Sequence, residues 1–338
     1  MKAVGYTKSL PVTDPGCLID VTMETPTPGP RDLRVAVKAV SVNPVDTKVR
    51  MRAQAKPGEP AKILGYDAAG VVEAVGTTVT LLRPGDEVFY AGSIVRPGTN
   101  SELHLVDERI VGRKPKSLSF AQAAALPLTA ITAWEMLFDR FGVAPGKTPD
   151  GRALLIIGGA GGVGSIMIQL ARKLTALTVI ATASRPETRD WCMKLGADHV
   201  IDHAKPLADQ LKAIGHAQVA LVAGVSGTDR SFPQLEAIIT PQGKFALIDD
   251  PKTLDISPLK RKAVSVHWES MFTRAIFETP DMIAQHRLLN EVSAMIDGGL
   301  IVTTAARELS PINAANLIKA HAQIESGTTI GKVVLAGW

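Results

Sequence analysis

The feature that most constrains the fold is a glycine-rich turn placed between an apolar strand and a helix. Ala153–Ile157 is an unbroken apolar run, Gly159–Gly164 fits the pattern G-x-G-x-x-G, and Ser165–Leu174 has the periodicity of an amphipathic helix. This order is typical of a βαβ unit that binds a dinucleotide pyrophosphate at the helix N-terminus. The predicted cofactor-binding residues of the turn are Gly159, Ala160, Gly161, Gly162, Val163 and Gly164.

Each glycine of the pattern has its own predicted role. We expect Gly159 to allow the tight turn, Gly161 to let the backbone approach the pyrophosphate, and Gly164 to let the helix pack closely on the strand. The N–H groups of the first helical turn would then face the phosphates. A glycine turn in an unrelated α/β fold is the structural alternative.

The end of the next strand indicates which dinucleotide is bound. An NAD-preferring site has a carboxylate here for the ribose 2′-hydroxyl, but Ala181–Arg185 contains none and the first acid is Glu187. A guanidinium can instead bind a phosphate through two hydrogen bonds. We therefore expect NADPH, with Ser184 and Arg185 at the 2′-phosphate and Arg189 as a weaker second cation. A solvated helix start is the alternative interpretation of the two arginines.

Two patterns of secondary structure divide the chain. Up to about residue 116, short strands such as Leu33–Val42 are separated by Pro-Gly turns, which predicts a β-rich module. Beyond Ser119, strands alternate with helices, which predicts parallel βαβ units and a doubly wound sheet. The predicted fold class is therefore α/β, and a helix over Asp281–Asp297 and a strand over Lys332–Gly337 close the chain.

Composition and charge exclude several functional classes. The chain has 37 Lys+Arg against 33 Asp+Glu, and only 4% of its residues are aromatic, so we expect no nucleic-acid groove. Two cysteines, Cys17 and Cys192, are too few for a disulfide framework or a four-cysteine zinc site. Because no signal peptide and no run of 18 apolar residues is present, we expect a soluble, cytoplasmic protein without a membrane partner.

Several longer segments resemble one known family. They are SVNPVDTKVR (41–50), LGYDAAGVVEAVG (64–76), PGDEVF (84–89), AAALPLTAITAWEML (123–137) and GGAGGVG (158–164). Together they are similar to the medium-chain dehydrogenase/reductase superfamily, and most to its NADPH quinone oxidoreductase (zeta-crystallin-like) branch. Proteins of this kind are often labelled zinc-type alcohol dehydrogenase-like. The resemblance implies a homodimer of chains in which a GroES-like catalytic domain (1–125 and 273–338) is interrupted by a Rossmann domain (126–272), with the active cleft between them.

The residues at the family's zinc-ligand positions argue against a catalytic zinc ion. Zinc-dependent members carry a Cys after the first long strand and a Gly-His-Glu segment. Here the first position reads Asn43-Pro44-Val45-Asp46 and the second reads Gly65-Tyr66-Asp67, so the thiol and the imidazole are both replaced. We therefore expect no zinc.

The resemblance also implies the catalytic residues. Asn43 and Asp46 match the family's active-site asparagine and acid, where Asn43 would donate an N–H to the acceptor oxygen and Asp46 would orient neighbouring groups or a water. Tyr66 either donates a hydrogen bond or a proton or lines the pocket. Thr132 either lies near the nicotinamide or packs its helix.

The predicted reaction follows from the missing metal. Without a Lewis acid to polarise an alcohol, reduction of an electron-poor acceptor is easier, because a quinone or an α,β-unsaturated carbonyl spreads the incoming charge over its own π-system. We therefore predict hydride transfer from NADPH to such an acceptor. The alternatives are a zinc-type alcohol dehydrogenase and a non-catalytic, crystallin-like NADPH-binding protein.

Overall fold

The computed structural model describes residues 1–149 and 151–338. These residues form two compact units, each with its own internal contacts. The β-rich unit consists of Met1–Ile131 together with Phe272–Trp338, and the βαβ unit consists of Thr132–Met271. The chain therefore leaves the β-rich unit once and returns to it.

The strands follow the two patterns found in the sequence. In chain order they are β1 (Lys2–Tyr6), β2 (Ile19–Thr22), β3 (Asp32–Val42), β4 (Lys62–Ile63), β5 (Ala68–Val75), β6 (Glu87–Tyr90), β7 (Leu103–Asp107), β8 (Val111–Arg113), β9 (Ala153–Ile157), β10 (Thr178–Thr182), β11 (His199–Ile201), β12 (Val219–Gly224), β13 (Ile239–Leu247), β14 (Ser265–Trp268), β15 (Ala305–Glu308) and β16 (Lys332–Ala336).

The α-helices are short to medium in length. They are α1 (Pro44–Arg52), α2 (Phe120–Ala124), α3 (Pro127–Trp134), α4 (Gly162–Leu174), α5 (Pro186–Lys194), α6 (Leu207–Ala213), α7 (Thr228–Ser231), α8 (Leu235–Ile238), α9 (Thr273–Phe277), α10 (Ala284–Asp297) and α11 (Ala314–Glu325). Within the part of the chain that the structure describes, none of the helices has the length and apolar character needed to cross a bilayer.

The βαβ unit is built on one parallel sheet. Its strand order is β11-β10-β9-β12-β13-β14, and each neighbouring pair is parallel. All five residues of β9 are buried, as expected for a central strand covered on both faces. The order reverses on either side of β9, which confirms the predicted doubly wound sheet of the Rossmann type.

The β-rich unit is organised around β3. This strand pairs with β16, β5 and β7, all antiparallel, in a sheet of order β15-β16-β3-β5-β6-β8. The alternate residues Leu33, Val35 and Val37 are at most 2% exposed, so one face of β3 lies in the core. A second, smaller sheet has the order β2-β1-β4.

Two helices differ from the sequence-based expectation. No helix was predicted directly after β3, yet α1 begins there; Asn43 as N-cap, Pro44 as first residue and Asp46 as third are its signals. The apolar pattern of the sequence also predicts a helix over Thr132–Phe141. The observed helix begins earlier, at Pro127, and continues as a π-helical segment over Glu135–Arg140. The apolar pattern there predicted a helix but carried no information on its hydrogen-bond spacing.

Candidate active site and nucleotide site

Three strand ends bring the polar residues of the β-rich unit together. Asn43 directly follows the last residue of β3. Lys332 is the first residue of β16, which runs antiparallel along one side of that end of β3. Asp67 directly precedes β5, which pairs with the other side of β3. The sheet register therefore places these three side chains beside one another, although they are distant in sequence.

Asp67 is the centre of this cluster and is fully buried. Its Oδ2 atom accepts hydrogen bonds from Asn43 Nδ2 (2.7 Å), Ser41 Oγ (2.8 Å) and Lys332 Nζ (3.1 Å). Its Oδ1 atom accepts from the backbone N–H of Leu128 (2.8 Å), in the first turn of α3. Burial raises the pKa of Asp67, while the Lys332 ammonium and these donors favour its ionised form.

Lys332 uses its whole ammonium group inside the cluster. It is 3% exposed, and its Nζ atom donates to Val42 O (3.0 Å), to Asn43 Oδ1 and to Asp67 Oδ2. The Asn43 amide is thus held at both ends, with its oxygen at Lys332 and its nitrogen at Asp67. The second N–H of that nitrogen has no partner among the described residues.

Asp46 is a buried acid in the first turn of α1. Its carboxylate accepts the backbone N–H groups of Asn43 (2.7 Å) and Gly65 (3.0 Å). It therefore binds the N–H of the N-cap residue of α1, as the acid of a capping box does. Burial raises the pKa of Asp46 to about 7, against the opposing effects of these N–H groups and of Lys332. The group can consequently hold or release a proton near neutral pH.

Tyr66 presents a protonated phenol inside the same unit. The residue is 1% exposed, and its ring lies edge-on to Phe272 with the centroids 5.4 Å apart. Its hydroxyl makes no hydrogen bond with any residue that the structure describes. Burial, and then the nearby Asp46 carboxylate, raise the pKa of Tyr66 above its ordinary value. The hydroxyl is therefore available as a donor.

The donor set of this region does not fit a catalytic zinc ion. Zinc needs about three nitrogen, sulfur or oxygen ligands from the protein, and no group of three or more His, Cys, Asp or Glu able to hold a metal occurs within residues 1–149 and 151–338. Both oxygens of Asp46 and of Asp67 already accept N–H or O–H groups. His104 is bonded through Nδ1 to Tyr90 Oη (3.1 Å) and through Nε2 to Pro97 O (2.9 Å).

The glycine turn of the βαβ unit is built for close backbone approach. A Cβ on Gly164 would lie 2.4 Å from Gly158 O, so α4 packs directly on the turn as predicted. A Cβ on Gly159 would lie 2.7 Å from Ala181 Cβ, and the left-handed residue is Gly158 (φ +94°). The tight turn is therefore made by Gly158, and Gly159 is required by packing, which corrects the predicted role.

Gly161 differs from the other glycines of the turn. A Cβ there would meet only Gly158 O, at 3.6 Å, which is an ordinary contact. Nothing in the protein therefore requires glycine at this position, and the space beside it is open. Gly161 is also the N-cap of α4 and provides no side-chain cap for that helix. The residues present thus fit a pyrophosphate at the N-terminus of α4.

The predicted phosphate-binding residues lie at the carboxyl end of β10. Ser184 and Arg189 are exposed, and Arg185 is the N-cap of α5. The Arg185 guanidinium is 3.3 Å from the carboxylate of Glu187, and its side chain is 39% exposed. The arginine is therefore at the strand end where the 2′-phosphate of NADPH is expected, with an exposed acid as its present partner.

One neighbour of this strand end was not predicted as a site residue. His203, which follows β11, places Nδ1 3.3 Å from the hydroxyl of Thr182, the last residue of β10. The same hydroxyl accepts the N–H of Gly158 (3.0 Å). The position of His203 just after a strand of the predicted sheet was the available signal, since ligands of open α/β sheets bind at the carboxyl ends of strands.

The threonines of α3 have different surroundings. The Thr129 hydroxyl donates a hydrogen bond to the backbone oxygen of Leu126 (3.1 Å). Thr132 is 4% exposed and belongs to the βαβ unit, whereas Asn43, Asp46 and Tyr66 belong to the β-rich unit. The structure thus gathers the last three into one cluster, and the role of Thr132 stays a prediction.

Comparison with known proteins gives matches over nearly the whole chain. Residues 29–127 match the alcohol dehydrogenase GroES-like domain family, and residues 162–285 match the zinc-binding dehydrogenase family. A zinc-type alcohol dehydrogenase-like protein of Staphylococcus aureus is 40% identical over 99% of both chains.

Two crystal structures are similar over almost their full length. One, from Rhizobium etli, is named for a proposed zinc-dependent alcohol dehydrogenase; it is 60% identical, covers 100% of this chain and 98% of its own, and has a TM-score of 0.96. The other, Escherichia coli quinone oxidoreductase complexed with NADPH, is 26% identical over 99% of this chain and 100% of its own, with a TM-score of 0.83.

The Rossmann sheet, the glycine turn and the GroES-like unit with its buried polar cluster define an oxidoreductase of the kind that uses a nicotinamide nucleotide. More particularly, the chain belongs to the medium-chain dehydrogenase/reductase superfamily, in its quinone oxidoreductase-like branch.

Proposed function

We propose that this protein reduces a quinone or an α,β-unsaturated carbonyl with NADPH and without a catalytic zinc ion. The observation that carries the proposal is the chemistry of the buried cluster. Where zinc-dependent relatives would need thiol and imidazole ligands, this chain has the Asn43 amide, the Asp46 carboxyl and the Tyr66 phenol. These groups form hydrogen bonds and hold protons, and they suit an acceptor that needs only partial stabilisation of its developing charge.

NADPH, when bound, supplies the hydride. The glycine turn with its open position at Gly161 supports pyrophosphate binding at α4, and Arg185 supports a preference for the 2′-phosphate. Arg185 would have to break its ion pair with Glu187 to bind that phosphate. The exchange is possible because the Glu187 side chain is exposed to water. Water exclusion and correct placement of the two reactants are then the main tasks of the protein.

Reduction of either acceptor consumes one hydride and one proton. The remaining N–H of Asn43 and the O–H of Tyr66 are the groups that can donate hydrogen bonds to the acceptor oxygen. Asp46, whose pKa lies at about 7, is the group that can hold the proton at neutral pH. The phenol with its raised pKa remains a donor over the same pH range.

The direct test is oxidation of NADPH by purified protein in the presence of quinones, conjugated enones, simple ketones and alcohols with NADP⁺. We expect turnover with quinones or enones and none with simple alcohols. Metal analysis of the same preparation separates the alternatives. Stoichiometric zinc whose removal abolishes activity supports an alcohol dehydrogenase, and micromolar NADPH binding without turnover supports a non-catalytic protein.

Tyr66→Phe tests the phenol. Since the variant keeps the ring that packs on Phe272 and loses only the hydroxyl, we expect kcat/KM for the acceptor to fall by about ten- to a hundredfold with unchanged NADPH affinity. Tyr90→Phe is the matched control, because Tyr90 is a buried tyrosine of the same unit whose hydroxyl is hydrogen-bonded to His104. Equal kinetics in both variants would remove Tyr66 from the mechanism.

We also propose a homodimer that pairs two copies through β14. This strand ends the parallel sheet, and Trp268 at its end is 58% exposed. An edge strand with a large exposed apolar side chain is a surface that commonly pairs with another chain. Light scattering after size-exclusion chromatography should give twice the chain mass of 35.8 kDa for the native protein and a single mass for Trp268→Lys.

A further inference from the structure

We infer that Lys332 is a positioning residue for the proposed reduction: its ammonium group holds the Oδ1 atom of Asn43, so that this side chain can offer only an N–H to the acceptor oxygen. The inference rests on the proposed function for its chemical meaning. Lys332 begins the closing strand of the chain and lies 289 residues after Asn43.

The two ends of the Asn43 amide have different hydrogen-bonding roles. An amide carries an acceptor oxygen and a donor nitrogen, and a rotation of 180° exchanges them. Lys332 Nζ is a donor, so the side of Asn43 that faces it must be the amide oxygen. Asp67 Oδ2 is an acceptor, so the side that faces it must be the amide nitrogen. The reversed amide would place an oxygen against the carboxylate and an N–H against the ammonium group.

Lys332 also neutralises the carboxylate that holds the nitrogen end. Asp67 and Lys332 are at most 3% exposed and 3.1 Å apart, so neither charge is solvated by water. A buried pair of this kind is maintained only when its remaining donors and acceptors are satisfied. Lys332 meets this condition with Val42 O, and Asp67 meets it with Ser41 Oγ and Leu128 N.

The titratable groups around Asn43 come from three parts of the chain. Asp46 lies in α1, Asp67 directly precedes β5, Lys332 begins β16, and Tyr66 lies beside Asp67. The cluster thus holds two acids and one base, and the one cation faces both Asp67 and Asn43. Removal of that cation removes the donor that holds the Asn43 oxygen and the charge that balances Asp67.

The experiment compares Lys332→Met with the double variant Lys332→Met/Asp67→Asn. In the double variant, the new amide must keep its oxygen at Leu128 N, so its N–H₂ group faces Asn43. Asn43 then has to turn its own oxygen toward that group. The contact between residues 67 and 43 is again paired and no charge is left buried alone. Val42 O has lost its donor, and the orientation of Asn43 is reversed.

We expect Lys332→Met to lower the melting temperature and to lower kcat at least tenfold. The double variant should regain most of the melting temperature but not kcat. NADPH affinity should stay within twofold of the native value in both, because the glycine turn is unchanged. Recovery of kcat together with the melting temperature in the double variant, or native kcat in Lys332→Met, overturns the inference.

A readout without activity keeps this inference separate from the proposed function. Neutron or high-resolution X-ray structures of the native protein and the double variant report the orientation of the Asn43 amide. We expect Oδ1 toward Lys332 in the first and toward residue 67 in the second. An unchanged amide in the double variant rejects the positioning role, whereas failure of the native protein to reduce any acceptor rejects only the proposed reaction.

Discussion

The two candidate sites of this protein are assembled in opposite ways. The glycine turn of the βαβ unit is contiguous, and its packing contacts depend on the absence of side chains at Gly159 and Gly164. The polar cluster of the β-rich unit is made by side chains, and Asn43, Asp67 and Lys332 come from three separate parts of the chain. The first site is thus sensitive to added volume, and the second is sensitive to lost charge or lost hydrogen bonds.

Loss of the Asp67 carboxylate should lower the stability of the protein more than the other changes below. In Asp67→Ala, the Lys332 ammonium stays buried without a counter-ion, and three donors besides it lose their acceptor. We expect the free energy of unfolding, measured with denaturant, to fall by about 3–5 kcal/mol. The exposed acid Glu24 serves as control, and Glu24→Ala should change stability by less than about 0.5 kcal/mol. A similar small loss in both variants would contradict the central role of Asp67.

The glycine turn offers a sharper comparison within one motif. Gly164→Ala places a methyl group 2.4 Å from a backbone oxygen that cannot move easily, so we expect a loss of about 1–3 kcal/mol in unfolding free energy. Gly161→Ala meets only an ordinary contact and should change stability by about 1 kcal/mol or less. Both should weaken NADPH binding, measured by calorimetry, at least tenfold. Native affinity in a stable Gly161→Ala protein would show that the open space is not the pyrophosphate site.

The βαβ unit contains a buried pair of acids, Glu135 and Glu269, whose ionisation should affect the stability of the protein. Burial, and then the charge of Glu135 and a hydrogen bond with it, raise the pKa of Glu269 to about 9, while Arg140 bonds the same carboxyl (2.8 Å). The folded protein therefore keeps a proton that the unfolded chain releases above its ordinary pKa of 4.5. Unfolding free energy should consequently fall as pH rises from about 4.5 to 9, by at most about 1.4 kcal/mol per pH unit.

Glu269→Gln should flatten that pH dependence, as measured by denaturant unfolding across the same range. Glu236→Gln, at an exposed acid of the same unit, should leave the slope unchanged. An unaltered slope in Glu269→Gln would mean that the buried pair does not hold the extra proton.

The smallest expected effect is at the edge of the nucleotide site. Because Arg185 lies at the end of β10 and is partly exposed, Arg185→Ala should weaken NADPH binding about five- to tenfold and leave NADH binding unchanged. Arg189→Ala should weaken NADPH binding about twofold. Equal losses for both nucleotides would show that Arg185 acts on the fold of α5 and not on the 2′-phosphate.

Much of the nucleotide site was predictable because its interactions are local. The residues from Ala153 to Leu174 form a strand, a turn and a helix that contact one another within about twenty positions, so periodicity and glycine spacing suffice. Which glycine makes the turn and which glycines are required by packing was not predictable. That Gly158 has the positive φ depends on how β9, β10 and α4 meet.

The cluster of the β-rich unit was predictable only in part. Asn43, Asp46 and Tyr66 stand in recognisable segments, but their individual bonds do not follow from those segments. Asn43 is the N-cap of α1, but that position does not reveal that its side chain also bonds Asp67 and Lys332. Lys332 begins a predicted strand, but nothing in that strand indicates that its charge meets Asn43 and Asp67.

Neighbouring residues alone predict the alternation of strands and helices after Ser119, the nucleotide-binding turn and the lack of thiol and imidazole ligands at the family's zinc positions. The tertiary structure alone decided which buried charges meet. Strand register aligns β16 and β5 on β3, and low solvent access then makes the pairing of Lys332 with Asp67 and Asn43 obligatory.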